Sequence, residues 1–305
     1  MLEILGKTNI DFMGKRRWAF LFSGIMVVLG IVAVIQIARG SANLGIDFAG
    51  GTAVQLKFDQ AIRIDEARKT LEANGLGNAE LQEFGQENKL LIRLKASTTI
   101  EEKVAERVVA VFTKEFPSNH FVVDSSTEIG PTIGQKLQQD ALIAILISFA
   151  GIILYVAGRF EFRFGIAAAL ATFHDVLAVL GAFYLLDKEI TLLVVTALLT
   201  LAGYSMTDTV VVFDRIRENL RMRRRDSEET IINNAVNQVL SRTIVTSLTV
   251  VLVLIPLTLA GGEVLHDFSL ALLWGVIFGT YSSIFVASPL LLLWPGTSGR
   301  LLKRS

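Results

Sequence analysis

Long apolar runs separated by short charged segments set the character of the chain. A helix needs about 20 mostly apolar residues to cross a hydrocarbon core. Trp18 to Ile37 has no charge between Arg17 and Arg39 and is the first such run. Lys15, Arg16 and Arg17 in front of it give it a feature of a secretory signal peptide, but its apolar stretch exceeds the usual length of about 7 to 15 residues. An uncleaved anchor is therefore the favoured reading. Five more spans follow: Ala141 to Ala157, Phe164 to Leu186, Ile190 to Phe213, Thr243 to Gly262 and Phe268 to Trp294. The last five form a nearly continuous bundle.

Between the first two spans the pattern changes. Ala53 to Phe58 alternates as a strand, and Asp65 to Asn74 is helical with Ala67 and Leu71 on one face. Ala79 to Phe84 and Lys89 to Lys95 read as strands around a Gly85 to Asn88 turn; Ile100 to Phe116 reads as a helix and His120 to Asp124 as a last strand. The order βαββαβ suits a ferredoxin-like split βαβ sandwich. The expected fold is thus an all-α six-helix transmembrane bundle plus one α+β ferredoxin-like periplasmic domain. Its expected parts are a cytoplasmic N-terminus (1–17), a first transmembrane helix (18–38), the periplasmic domain (39–136), a five-helix bundle (137–295) and a cytoplasmic tail (296–305). Gly45, Asp47, Gly50, Gly51, Gly130 and Pro131 lie at the two junctions between the domain and the membrane.

Short loops give the orientation, because Lys and Arg accumulate on the cytoplasmic side. Lys7, Lys15, Arg16 and Arg17, then Arg159 and Arg163, then Arg215, Arg217, Arg221, Arg223, Arg224 and Arg225, and finally Arg300, Lys303 and Arg304 all fall on one side of a six-span arrangement. The opposite short loops hold Asp187, Lys188, Glu189, Glu263, His266 and Asp267, with a single Lys. Both termini are expected in the cytoplasm and the large loop in the periplasm.

Composition agrees with this. Of 305 residues 52% are hydrophobic and 19% charged, and the mean hydropathy is +0.53, on the apolar side of soluble proteins. Lys plus Arg and Asp plus Glu both number 29, so net charge gives no hint of nucleic-acid binding. The absence of cysteine excludes disulfides, thiol catalysis and Cys-ligated metals.

The polar residues inside the spans are the candidates for function. A carboxylate near the bilayer centre costs about 2.5 to 3.5 kcal/mol on insertion scales, so it faces a partner or water. Asp208 lies inside the fourth span, and Asp175 follows His174 in the third. Thr200, Tyr204, Thr207 and Asp208 recur at helical spacing, a stripe expected to face the interior; Arg242, Thr246 and Thr249 share a face of the fifth. Arg242 is the expected partner of Asp208. Two readings stand side by side: a structural ion pair that fixes helix packing, or a carboxylate that carries protons. For His174 and Asp175, plain packing among Ala167, Ala168, Ala169 and Ala171 stands against a proton role. Gly275 and Gly279 have GxxxG spacing, and Pro256 interrupts the fifth span.

No GxxxxGK[ST] phosphate loop, HExxH zinc site or GxSxG elbow occurs, so neither ATP hydrolysis nor other enzyme chemistry is expected, and no cofactor or metal. An energy-using role then draws on an ion gradient, where one charge crossing the field is worth about 2.3 kcal/mol per 100 mV.

Several motifs together resemble one family. They are Gly45-Ile46-Asp47-Phe48-Ala49-Gly50-Gly51-Thr52, the run from Gly203 through Tyr204, Thr207 and Asp208 to Arg217-Glu218, Ser241-Arg242-Thr243, Phe173-His174-Asp175-Val176 and Gly130-Pro131. Over nearly its whole length the chain resembles the SecF family, the smaller membrane subunits of the SecD/SecF accessory complex of the bacterial Sec translocon. The resemblance implies one half of a twelve-span unit of the resistance-nodulation-division superfamily in the cytoplasmic (inner) membrane. It further implies pairing with SecD, docking to the SecYEG channel and other membrane-insertion and accessory subunits, and use of the proton-motive force in late steps of preprotein export. Asp208 and Arg242 match the family's proton-transport positions; Thr207 stands where the family commonly has Asn. Two rivals are half of a proton-driven drug or lipid exporter and a passive membrane scaffold.

Overall fold

The computed structural model describes residues 8–84, 88–95, 103–222 and 226–293, and divides into two compact units, residues 44–143 with 190–192, and the rest. Lys7, most of the 85–88 turn, the start of the helix expected at Ile100, Arg223 to Arg225, and Trp294 with the tail after it lie outside the described residues.

The smaller unit opens with one turn of helix, α2 (Ile46–Ala49), after the first long helix, α1 (Arg16–Ala38). Strand β1 (Gly51–Phe58), helix α3 (Ile64–Ala73), strands β2 (Glu80–Phe84) and β3 (Lys89–Lys95), helix α4 (Val104–Glu115) and strand β4 (Phe121–Ile129) follow. All strand pairs are antiparallel in the spatial order β2-β3-β1-β4. Val54, Leu56 and Phe58 of β1 and Leu90 and Ile92 of β3 turn their side chains to one face. Ala67 and Leu71 of α3 and Val108 and Phe112 of α4 cover that face, so an amphipathic sheet and two amphipathic helices close one core. Strand β4 runs to Ile129, well beyond the expected Asp124, with a register shift opposite Gln55 and Leu56. Its residues 122–128 are exposed, as befits an edge strand with no buried face of its own.

The larger unit is helical. It holds α1, most of α5 (Pro131–Arg159), α6 (Phe162–Leu185), α7 (Leu192–Met222), α8 (Glu228–Ala260) and α9 (Gly262–Ser282). Among the described residues six helices are long and apolar enough to cross a membrane. The last is not uniform: α9 passes into a π-turn (Ser283–Ala287), then a short α10 (Ser288–Leu290) and a 3₁₀ turn (Leu291–Leu293). Pro256 sits inside α8, which continues through it.

Glycine sets the closest helix approaches. A Cβ at Gly30 of α1 would stand 2.2 Å from the carbonyl oxygen of Leu177 on α6, and one at Gly181 would stand 2.9 Å from the nitrogen of Gly30. Only glycine lets these backbones touch, as in other membrane helix pairs. Gly275 meets Leu201 and Gly279 meets Ser205 in the same way, so the GxxxG face of α9 lies on α7.

Helix α8 begins at Glu228, fifteen residues before the expected Thr243. Ser227 caps it by accepting from the Thr230 N–H at 3.2 Å, with Glu228 and Glu229 in the first turn. This extra length clamps the segment ahead of α1. Asn233 Oδ1 accepts from the N–H groups of Phe12 (2.8 Å) and Met13 (3.2 Å), and its Nδ2 donates to the Ile10 carbonyl at 3.0 Å. Met13 is fully buried there.

Candidate functional site

In the helical unit the carboxylate of Asp175 on α6 is fully buried. Its Oδ1 lies 2.9 Å from His174 Nδ1; its Oδ2 accepts from Ser205 of α7, and from Ser282 of α9 at 2.8 Å. Three helices thus meet on one carboxylate. His174 Nε2 is buried without a hydrogen-bond partner. The imidazole lies beside the ring of Tyr281, at 6.4 Å between centroids, and Tyr281 donates its hydroxyl to the Ala19 carbonyl of α1 at 2.8 Å.

One turn further along α7, Asp208 is half-buried. Its Oδ2 is enclosed and has no hydrogen-bond partner, and the same holds for the hydroxyl of the buried Thr243 on α8. Thr243, Ser283, Asp175 and Arg242 are the side chains that act on Asp208 electrostatically, although neither hydroxyl meets hydrogen-bond geometry with it. Ser283 opens the π-turn. Its hydroxyl donates to the Gly279 carbonyl at 3.0 Å, which leaves Thr209 to donate to Ser283 at 2.9 Å; the Ser283 carbonyl in turn accepts from Ser288 at 2.7 Å. A π-turn shifts the register of a helix and recurs at functional sites. Here it puts Ser282 on Asp175 and Ser283 beside Asp208, so consecutive residues serve the two carboxylates.

The remaining expected residues are arranged differently from the sequence reading. Arg242 is exposed on the outer side of α8 and forms no ion pair with Asp208. Helical spacing shows which residues share a face but not which neighbour that face meets. Thr200 and Thr207 are exposed as well, so one edge of the expected interior stripe of α7 is turned outward while Tyr204 and Asp208 stay half-buried; the Thr207 hydroxyl bonds back to the Gly203 carbonyl at 3.1 Å. Tyr204 is half-buried with its hydroxyl 3.5 Å from Ser247, which bonds Thr280 at 2.6 Å. Ser282 and Ser283 were not singled out by the sequence, and Ser205, Thr209 and Thr243 lie within motifs of the family resemblance without being assigned a role. Hydroxyls are common in membrane helices and carry no cue of their own.

In the smaller unit the Gly45 N–H bonds the Ile190 carbonyl at 3.0 Å, and Asp47 Oδ2 accepts from the Leu192 N–H at 2.9 Å, a carboxylate on the first residue of α7. Gly50 has φ +71°, and a Cβ there would press on the Pro131 Cα at 3.1 Å. Gly51 also lies at positive φ, whereas Gly130 meets open space and Pro131 is the first residue of α5. Among the described residues no group of three His, Asp or Glu converges as metal ligands do.

Two family descriptions match: "Protein export membrane protein SecD/SecF, C-terminal" over residues 108–297 and "SecD/SecF GG Motif" over residues 43–62. The chain is 51% identical over 306 residues to "Protein translocase subunit SecF" of Thermodesulfovibrio yellowstonii, covering 100% of both. The chain belongs to the SecD/SecF family. A SecF of Magnetococcus marinus is 43% identical, covering 97% of this chain and 96% of its own length. Among solved structures, the crystal structure of SecDF, a translocon-associated membrane protein from Thermus thermophilus, superposes with a TM-score of 0.81 at 36% identity, covering 94% of this chain. The chain spans 39% of the length of that SecDF. Family membership makes it an accessory membrane subunit of Sec protein export. The GG-motif match contains Gly45, Asp47, Gly50 and Gly51, and the C-terminal match contains both buried carboxylates.

Proposed function

We propose that the chain is the SecF-type half of a proton-driven export device. With a SecD-type half and the SecYEG channel, it uses the proton-motive force to assist late steps of preprotein translocation across the bacterial inner membrane. One observation carries this reading: two carboxylates on adjacent spans, Asp175 fully buried and Asp208 half-buried, lie in an apolar bundle, and the second keeps a buried oxygen with no hydrogen-bond partner beside an equally unpartnered Thr243 hydroxyl. Ionisable groups within a membrane are costly and mark proton paths and ion sites. A packing ion pair would instead have both partners satisfied, and Asp208 has no such partner.

In this reading Asp208 gains and loses a proton. Arg242 and the Thr243 and Ser283 hydroxyls bias it, and Thr207 and Tyr204 border its path. Asp175 holds α6, α7 and α9 in register through His174, Ser205 and Ser282. Protonation repacks the spans, and the movement passes along the chain at Gly45 to Gly51 and at Gly130 and Pro131 into a periplasmic domain that grips the emerging preprotein. The strand order β4-β1-β3-β2 with two helices on one face supports a ferredoxin-like form for that domain. The positive-inside pattern supports cytoplasmic termini.

The test uses the full complex in proteoliposomes with an imposed proton gradient. Asp208→Asn is expected to remove the gradient-dependent part of preprotein export and leave the gradient-independent part in place. Gradient-dependent export at the wild-type rate from Asp208→Asn refutes the proposal.

A further inference from the structure

Helix α7 has 31 residues. At 1.5 Å per residue that is about 46 Å, well beyond a hydrocarbon core of about 30 Å. The turns after Phe213 therefore reach headgroup level. There the end of α5 and the last turns of α7 border an open pocket of about 370 Å³ lined by Arg159, Asp214, Arg217, Glu218, Arg221 and Met222. Its two acids are already engaged. Asp214 receives Arg159 on both oxygens at 2.9 and 2.7 Å, and Glu218 receives Arg215 at 2.5 Å. Arg217 and Arg221, one turn apart on the same face, form no ion pair among the described residues, and Arg217 Nε is buried without an acceptor. Three arginines outnumber the two carboxylates in the lining, and the two that form no ion pair among the described residues are free to hold an anion with several oxygens.

The surroundings identify its source. Leu154 (76% exposed) and Tyr155 lie one turn before Arg159 on α5, Phe162 (82% exposed) opens α6, and Met222 (61% exposed) forms part of the cavity wall. Exposed aliphatic side chains next to aromatic rings and arginines at headgroup level match acyl chains below and a phosphate above. A soluble phosphate makes no use of that apolar rim. The positive-inside rule needs a number of charges in this loop, but not a cavity or a buried unpartnered N–H. We propose that this cavity binds the headgroup of an anionic phospholipid, its phosphate held by Arg217 and Arg221 and its acyl chains lying along the exposed face of α5. The bound lipid ties the ends of α5 and α7 together.

The full-length chain in nanodiscs, probed by native mass spectrometry with phosphatidylglycerol, phosphatidylcholine and inorganic phosphate, tests this. The wild type is expected to retain phosphatidylglycerol in preference to phosphatidylcholine, and Arg217→Gln and Arg221→Gln each to weaken that retention about tenfold. Arg39→Gln, an exposed arginine at the end of α1, is expected to change nothing. Arg221 is exposed, so its variant keeps the test valid if Arg217→Gln alters folding, as judged by helicity and monodispersity. Equal retention by Arg221→Gln and wild type overturns the proposal. So does displacement of phosphatidylglycerol by millimolar inorganic phosphate, which identifies a free-anion site, and so does a wild type without a preference between the lipids.

Discussion

Removal of the Asp175 carboxylate tests whether the polar centre of the bundle holds it together. In Asp175→Ala, Ser205 and His174 lose the partner they have in the structure, whereas Ser282 keeps the Gly279 carbonyl at 3.1 Å. A buried polar group left without a partner costs about 1 to 3 kcal/mol, so two of them cost about 2 to 6 kcal/mol. Interhelical hydrogen bonds in membranes average nearer 0.6 kcal/mol, which for the two interhelical bonds lost, from Ser205 and Ser282, sets a floor of about 1 kcal/mol. The first figure is large against a total stability of about 5 to 15 kcal/mol. Asp175→Asn keeps an acceptor oxygen, and the serine hydroxyls can rotate to accept from the new amide, so about 1 kcal/mol is expected. Reversible unfolding in mixed micelles, followed by helical circular dichroism, measures both. An alanine variant within about 0.5 kcal/mol of wild type, or an asparagine variant as unstable as the alanine one, refutes the reasoning; the three bonds to Asp175 then do not set the packing of α6, α7 and α9.

Two further substitutions probe other contacts. Gly30→Ala places a Cβ 2.2 Å from the Leu177 carbonyl and is expected to cost about 1 to 3 kcal/mol by forcing α1 off α6, while Gly24→Ala, with nothing within 4 Å, is neutral; equal melting of the two variants in micelles counts against the close crossing. Asn233→Ala removes the acceptor of the Phe12 and Met13 N–H groups and the donor to Ile10. It is expected to lower stability by about 1 to 3 kcal/mol and to speed tryptic cleavage at Lys15 to Arg17; an unchanged cleavage rate argues that these bonds do not hold the N-terminal segment.

The spans are legible in the sequence because a membrane imposes a length and an apolarity that few other environments demand, and all six expected apolar runs fall largely within long helices. Their ends are less legible. Asn233, Asn237, Gln238 and Arg242 hid the first fifteen residues of α8, although Ser227 with Glu228 and Glu229 was already a helix-start signal. The end of β4 was hidden for a related reason: Asp124 to Glu128 has no buried face, so no alternation marks it as a strand. The π-turn at Ser283 leaves no mark at all, since the residues that form it are as apolar and small as the helix around them. The carboxylates stood out because a charge in an apolar run is rare and costly. Their partners did not, because a serine that serves Asp175 and a serine that only bonds its own helix look alike in one dimension.

Helix α7 exposes Thr196, Thr200, Gly203 and Thr207, and α8 exposes Arg242, Thr246 and Thr249. The four threonine hydroxyls Thr200, Thr207, Thr246 and Thr249 bond back to carbonyls of their own helices, a way to remain satisfied without water, but Arg242 has no such recourse. Arg242 stands at the edge of the fifth apolar run, where a guanidinium is satisfied by water, a headgroup or a protein partner but not by acyl chains. The chain spans 39% of the length of the SecDF it resembles, and in the proposed function the exposed side of α7 and α8 faces the SecD-type half. Asp208 lies at the rim of this chain's own packing, with one oxygen satisfied neither by its helix nor by Arg242.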